Sequence, residues 1–116
     1  MTLATLVVGA DAQQREVAII DVLDGAQTTA LILEGLPSGR SPLDSIAGLQ
    51  IARIAPGCLC CSGNLTMRVT LNRILRQRPQ RLFISLATAE HLDGIRRFLT
   101  NTPYDDLLQL TKDLHA

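Results

Sequence analysis

Three cysteines fall within four positions of one another, Cys58, Cys60 and Cys61, in the stretch APGCLCCSG, and the chain has no others. Thiolates crowded this closely suit a thiophilic ion such as Zn²⁺ or Cu(I), whereas Mg²⁺ would select oxygen. Three sulfurs leave tetrahedral zinc one ligand short, so water, a partner's residue, or a carboxylate or imidazole of this chain must complete it. A disulfide scaffold is excluded, because such scaffolds carry an even number of cysteines spread between distant elements, and adjacent Cys60 and Cys61 would pair only in a strained ring. Two alternatives stay open. Vicinal thiols of low pKa can form a redox or sensing site, although the spaced C-x-x-C pair of redox enzymes is lacking. Three small apolar side chains can also simply fill a core.

The elements around the cluster alternate between strand and helix patterns. TLATLVVG (2–9), TTALILEG (28–35), LQIARIA (49–55) and RLFISLA (81–87) are apolar runs without polar alternation, which predicts buried strands. Between the first two, Asp11 is placed to cap a helix, with Val17, Ile20 and Leu23 as its apolar stripe and Gly25 closing it. After the cysteines, Leu65, Val69, Leu71, Ile74 and Leu75 recur at helical spacing, and the helix must stop before Pro79. A helix over TAEHLDGIRRFLT follows, then another over TPYDDLLQLTKDLH with Thr102 as its cap. Helices interleaved with apolar strands predict an α/β domain in three layers: a mainly parallel sheet of about four strands with helices on both faces. The cysteines then lie between the third strand and a helix N-terminus, whose dipole favours thiolate over thiol.

This order of parts, with GCLCC at 57–61, resembles the N-terminal half of the CobW-like family of metal-associated P-loop GTPases. The family motif G-C-x-C-C is matched in every position, and LQIARIAPGCLCCSGNL and ILRQRPQRLFI extend the likeness over about residues 3–99. The resemblance implies a truncated P-loop fold for 1–116 lacking the guanine-recognition half, a metal site at Cys58, Cys60 and Cys61, and work in the delivery of zinc or a similar divalent ion. It also implies Glu34 as a closing ligand, because LILEG stands where the family has N-E-[FY]-G. His91, at the start of a helix after the fourth strand, is a second candidate. His115 reads as a solvent-exposed residue.

The nucleotide half of the resemblance does not carry over. A Walker A loop needs G-x-x-x-x-G-K-[ST], with lysine for phosphate charge and a hydroxyl for magnesium. In GADAQQRE, Gly9 stands at the first glycine, but Gln14 replaces the second, Arg15 the lysine and Glu16 the hydroxyl residue. Asp11 and Glu16 add charge that repels phosphate. The one lysine, Lys112, is far along the chain, ISLATAEH replaces the E-[ST]-[ST]-G switch, and no N-K-x-D motif occurs. The expectation is a non-hydrolysing relative without bound nucleotide.

Composition narrows the partners. Eleven basic and eleven acidic residues cancel among 116, and aromatics make up only 3%, which argues against nucleic acid and anionic membrane as ligands. No apolar run approaches the roughly 20 residues that span a bilayer, and no secretory leader is visible, so a cytoplasmic protein is expected. The arginines at 68, 73, 76, 78, 81, 96 and 97 fall in one region poor in acids, and offer either a solvated helix face or a means to steer an acidic partner. A four-stranded sheet with an exposed edge predicts self-association as a dimer; a metal-acceptor protein and a separate GTPase subunit are the other expected partners.

Overall fold

The computed structural model describes residues 1–35, 41–54 and 65–116. Six strands, β1 (Thr2–Val8), β2 (Thr29–Glu34), β3 (Leu49–Ile54), β4 (Arg81–Leu86), β5 (Leu108–Leu110) and β6 (Leu114–His115), form one sheet in the order β3-β2-β4-β1-β5, with β6 also on β1. Every pairing is parallel. Helix α1 (Ala12–Val22) covers one face. Helices α2 (Leu65–Arg76) and α3 (Leu92–Leu99) cover the other. The three-layer α/β arrangement expected from the unalternating apolar runs is therefore the one observed.

Each strand's alternate residues serve the two faces. Ala4, Leu6, Ile32, Leu82 and Ile84 meet Met67, Leu71 and Ile74 of α2 and Ile95 and Leu99 of α3. Val7, Leu31, Leu33 and Phe83 meet Ile19 of α1 and Leu43 of the short 3₁₀ turn Pro42–Ser45. Burial on both sides is why these strands read as continuous apolar runs.

The region after residue 102 differs from the helix expected there. Only a 3₁₀ turn, Tyr104–Asp106, forms, and no side chain caps it. Beyond it the chain enters the sheet as β5 and β6. β1 is buried on both faces, so the backbone groups along its second edge need partners. Leu108 to Ala116 supplies them: Thr111 N donates to Ala4 O at 2.8 Å, and Ala116 N to Val8 O at 2.8 Å. Between the Leu110–Ala4 and Leu114–Val7 pairings this edge carries one residue more than β1, a bulge. The extra residue turns Leu110 to the α2–α3 face and Leu114 to the α1 face.

Two helical stripes also differ from expectation. On α1 the buried residues are Arg15, Glu16 and Ile19, while Val17 is exposed. On α2 they are Met67, Thr70, Leu71, Ile74 and Leu75, while Leu65 and Val69 face outward. Just past α2, Arg78 is left-handed at φ +52°, and its own N–H donates to Leu75 O at 3.1 Å and closes the helix directly before Pro79.

Candidate metal centre at the carboxyl edge of the sheet

In an open parallel sheet, ligands bind beyond the carboxyl ends of the strands, where neighbouring strands send their connections to opposite faces. Here that point lies between β1, which leads to α1, and β4, which leads to α3 on the other side. A cavity of about 390 Å³ opens there, with Gly9, Ala10, Ala87, Thr88 and His115 among its lining residues.

Beneath it, Arg15 ties three strand ends together. Its Nε donates to Ser85 Oγ at 2.7 Å, one terminal nitrogen to Gly9 O at 2.7 Å and the other to Glu34 O at 3.1 Å. The side chain is only 2% exposed. Burial lowers the pKa of this guanidinium from its ordinary value, and the negative charges of Glu34, Asp11 and Glu16 oppose that shift. The cation standing at the Walker lysine position thus points inward onto protein carbonyls and a hydroxyl.

The two acids flanking it are also engaged. Asp11 takes the extended cap conformation before α1, and its carboxylate accepts from Gln13 N at 2.9 Å, the bond expected of a cap. Glu16 does not face the loop. It is buried toward β3, where Ser41 Oγ donates to it and Arg53 pairs with it at 3.3 Å. Arg53 also donates to Ser41 Oγ at 2.8 Å, so α1, β3 and the 3₁₀ turn at 42–45 are joined through one network. Gly9 accommodates the crowding: a Cβ there would stand 2.8 Å from the Ala116 Cβ and 3.1 Å from the Arg15 Cγ. Gln14 stays exposed on α1.

Cys58, Cys60 and Cys61 lie in 55–64, outside the described residues. The residues flanking that segment are placed. Ile54 ends β3 in register with Glu34, and Gly35 N donates to Ile54 O at 3.0 Å. Leu65 begins α2, whose far end returns to the amino edge, where Leu75 and Arg78 stand beside Met1 and Thr2. β3 therefore ends, four residues before Cys58, at the strand position next to Glu34. Glu34 is itself 4% exposed, and one carboxylate oxygen accepts from Ala87 N at 2.7 Å.

His91 ends the 3₁₀ turn Ala89–His91, and its side chain lies outside the described residues. His115 is exposed and paired in register with Val8. Among the described residues no three His, Cys, Asp or Glu side chains group as a metal site. The donor set proposed from sequence, three thiolates and a carboxylate, has the chemistry that tetrahedral zinc accepts. Sequence reasoning missed the inward turn of Arg15 and the Glu16–Arg53–Ser41 network. A signal existed in Arg15, a single cation in the first turn of α1, bracketed by Asp11 and Glu16.

The fold and this edge define an open, parallel, doubly wound α/β protein with its candidate site at the carboxyl ends of the strands. No protein-family model matches the chain, and no solved structure matches it. Over 69 residues, 59% of this chain, it is 36% identical to the zinc chaperone YeiR of Escherichia coli (strain K12). The chain spans about a fifth of that relative's length, the similarity covering 21% of it. Among the described residues no helix is long and apolar enough to cross a membrane.

Proposed function

We propose that this chain is a CobW-like metal-binding protein that holds zinc, or a similar thiophilic divalent ion, through Cys58, Cys60 and Cys61, with Glu34 closing the site, and that it passes the ion on without hydrolysing GTP. The observation that carries the reading is the register of Glu34 with Ile54, which sets a buried carboxylate beside a strand end four residues before Cys58. Similarity to a zinc chaperone over 59% of the chain supports zinc as the cargo. Thiolates give affinity, and a fourth ligand shared between carboxylate and an incoming acceptor lets the ion leave.

Arg15 supports the non-hydrolysing part. In a phosphate-binding loop the cation must face the ligand; here its three hydrogen bonds go to Ser85, Gly9 and Glu34. Asp11 further covers the start of α1, where a phosphate would otherwise find free N–H groups. A reducing cytoplasm suits the free thiols. Self-association would use β3, which among the described residues pairs with β2 alone and keeps Leu49, Ile51 and Ala52 half-buried at the sheet edge.

Elemental analysis of protein purified without chelator, followed by cobalt titration, tests the proposal. One ion per chain with thiolate-to-cobalt charge-transfer absorption is expected, and that absorption should collapse in Cys60→Ser. Loss of only a fraction of an ion per chain in that variant, or sulfenate and disulfide in place of metal by mass spectrometry, would argue for a redox site instead. Calorimetry with GTP and magnesium should give no heat of binding.

A further inference from the structure

The arginines of α2 border a trough that the metal reading leaves unused. Three cavities run along one flank of this helix and share walls. One, of about 490 Å³, lies between Arg68, Asn72, Phe98 and Tyr104. The next, of about 450 Å³, shares Asn72 and continues past Arg76 to Arg78 and Leu107. A third, of about 360 Å³, shares Arg78 and Leu107 and reaches Met1 at the amino edge of the sheet. Each has room for one or a few side chains.

One wall is cationic. Arg68, Arg76 and Arg78 are exposed, α2 carries no acid, and among the described residues none of the three is ion-paired. Asp106 lines the same cavity as Arg78, at the trough's amino-edge end. The other wall is rigid and partly apolar. Tyr104 is buried, its hydroxyl donates to Asn72 Oδ1 at 2.9 Å, and its ring lies 4.9 Å from that of Phe98. Arg68 sits over the Phe98 ring, 5.9 Å from its centroid, which orders the guanidinium.

We infer that this trough is a docking surface for an extended acidic segment of a partner protein. Arg68, Asn72 and Arg76 are spaced four residues apart, about 6 Å of rise per step along the helix. Alternate side chains on one face of an extended chain repeat at about 6.6–6.8 Å, so carboxylates at every second position meet successive steps of this wall. Planar guanidinium groups bind carboxylates with two parallel hydrogen bonds. The apolar side chains between the acids find Leu107, Leu75 and Met1. Protein is favoured over nucleic acid because aromatic side chains are few and the two at the trough are already engaged, Phe98 against Arg68 and Tyr104, and Tyr104 buried.

The inference does not depend on the bound ion, so it is tested on the full chain in chelator. A fluorescein-labelled peptide of alternating Glu and Val is titrated by anisotropy at low and at physiological ionic strength. Saturable binding that weakens with salt is expected, falling by about tenfold or more in Arg68→Glu/Arg76→Glu. Lys112→Glu, an exposed cation between β5 and β6 that lines none of the three cavities, should bind as the native chain does. Both variants should show native urea midpoints, since the altered side chains are exposed. Absence of binding by the native chain, equal weakening by Lys112→Glu, unchanged affinity in the double variant, or tighter binding of a single-stranded oligonucleotide of equal charge would each overturn the inference.

Discussion

Replacing Arg15 tests whether the carboxyl edge is held shut from within. Arg15→Leu keeps much of the side-chain volume but removes three donated bonds, leaving Ser85 Oγ and the Gly9 and Glu34 carbonyls short of a donor in a buried setting. Hydrogen bonds from a charged group contribute about 1.5–3 kcal/mol each, but the burial that lowers the Arg15 pKa offsets part of that gain. Stripping the positive member from a buried charged group, here one that also faces the negative Glu34, typically costs about 3–5 kcal/mol, and this is the expected loss. It is a large share of a domain's total stability of about 5–15 kcal/mol. At roughly 3–5 °C per kcal/mol for a chain of this size, the melting temperature should fall by about 10–20 °C. Urea unfolding followed by far-ultraviolet circular dichroism, under reducing conditions with chelator, measures it without a contribution from metal. Arg15→Lys, which keeps the charge but not the fork, should lose about half as much. A loss below about 1 kcal/mol in Arg15→Leu would refute the closed-edge reasoning, because the two buried acceptors, Ser85 Oγ and Glu34 O, cannot lose their donor so cheaply.

Other consequences are as direct. Leu71→Ala should cost about 2–5 kcal/mol in urea unfolding, whereas Val69→Ala, one turn face away and 55% exposed, should change stability by less than about 0.5 kcal/mol. Burial raises the Tyr104 pKa while nearby Arg68 lowers it, so the folded state holds that proton more tightly than the unfolded chain. Its contribution to stability is therefore complete below about pH 10 and is lost as pH rises through the raised folded value; Tyr104→Phe should flatten that alkaline decline while costing about 1 kcal/mol at neutral pH for the bond to Asn72. Asp113→Asn should cost no more than about 1 kcal/mol by thermal melting, because its partner Arg96 is 39% exposed and solvent screens the pair. Light scattering should find a dimer that a charge placed on β3, at Ile51→Lys, dissociates.

What the sequence by itself determined is whatever depends on neighbours along the chain. Apolar runs such as TALILE and RLFISL specified strands buried on both faces, and Asp11 specified where α1 begins. Tertiary structure decided the rest, because it turned on groups far apart in sequence. Leu108 to His115 joined the sheet, against a helical reading, since β1, about a hundred residues earlier, needed a partner along its second edge. Val69 fits a helical stripe as well as Leu71 does, and only the position of the sheet beneath α2 separates them. Arg15 and Glu16 are adjacent, yet one turns to the ends of β1, β2 and β4 and the other to β3, because a buried charge settles where opposite charge or hydrogen-bonding atoms wait, and those atoms belong to other strands.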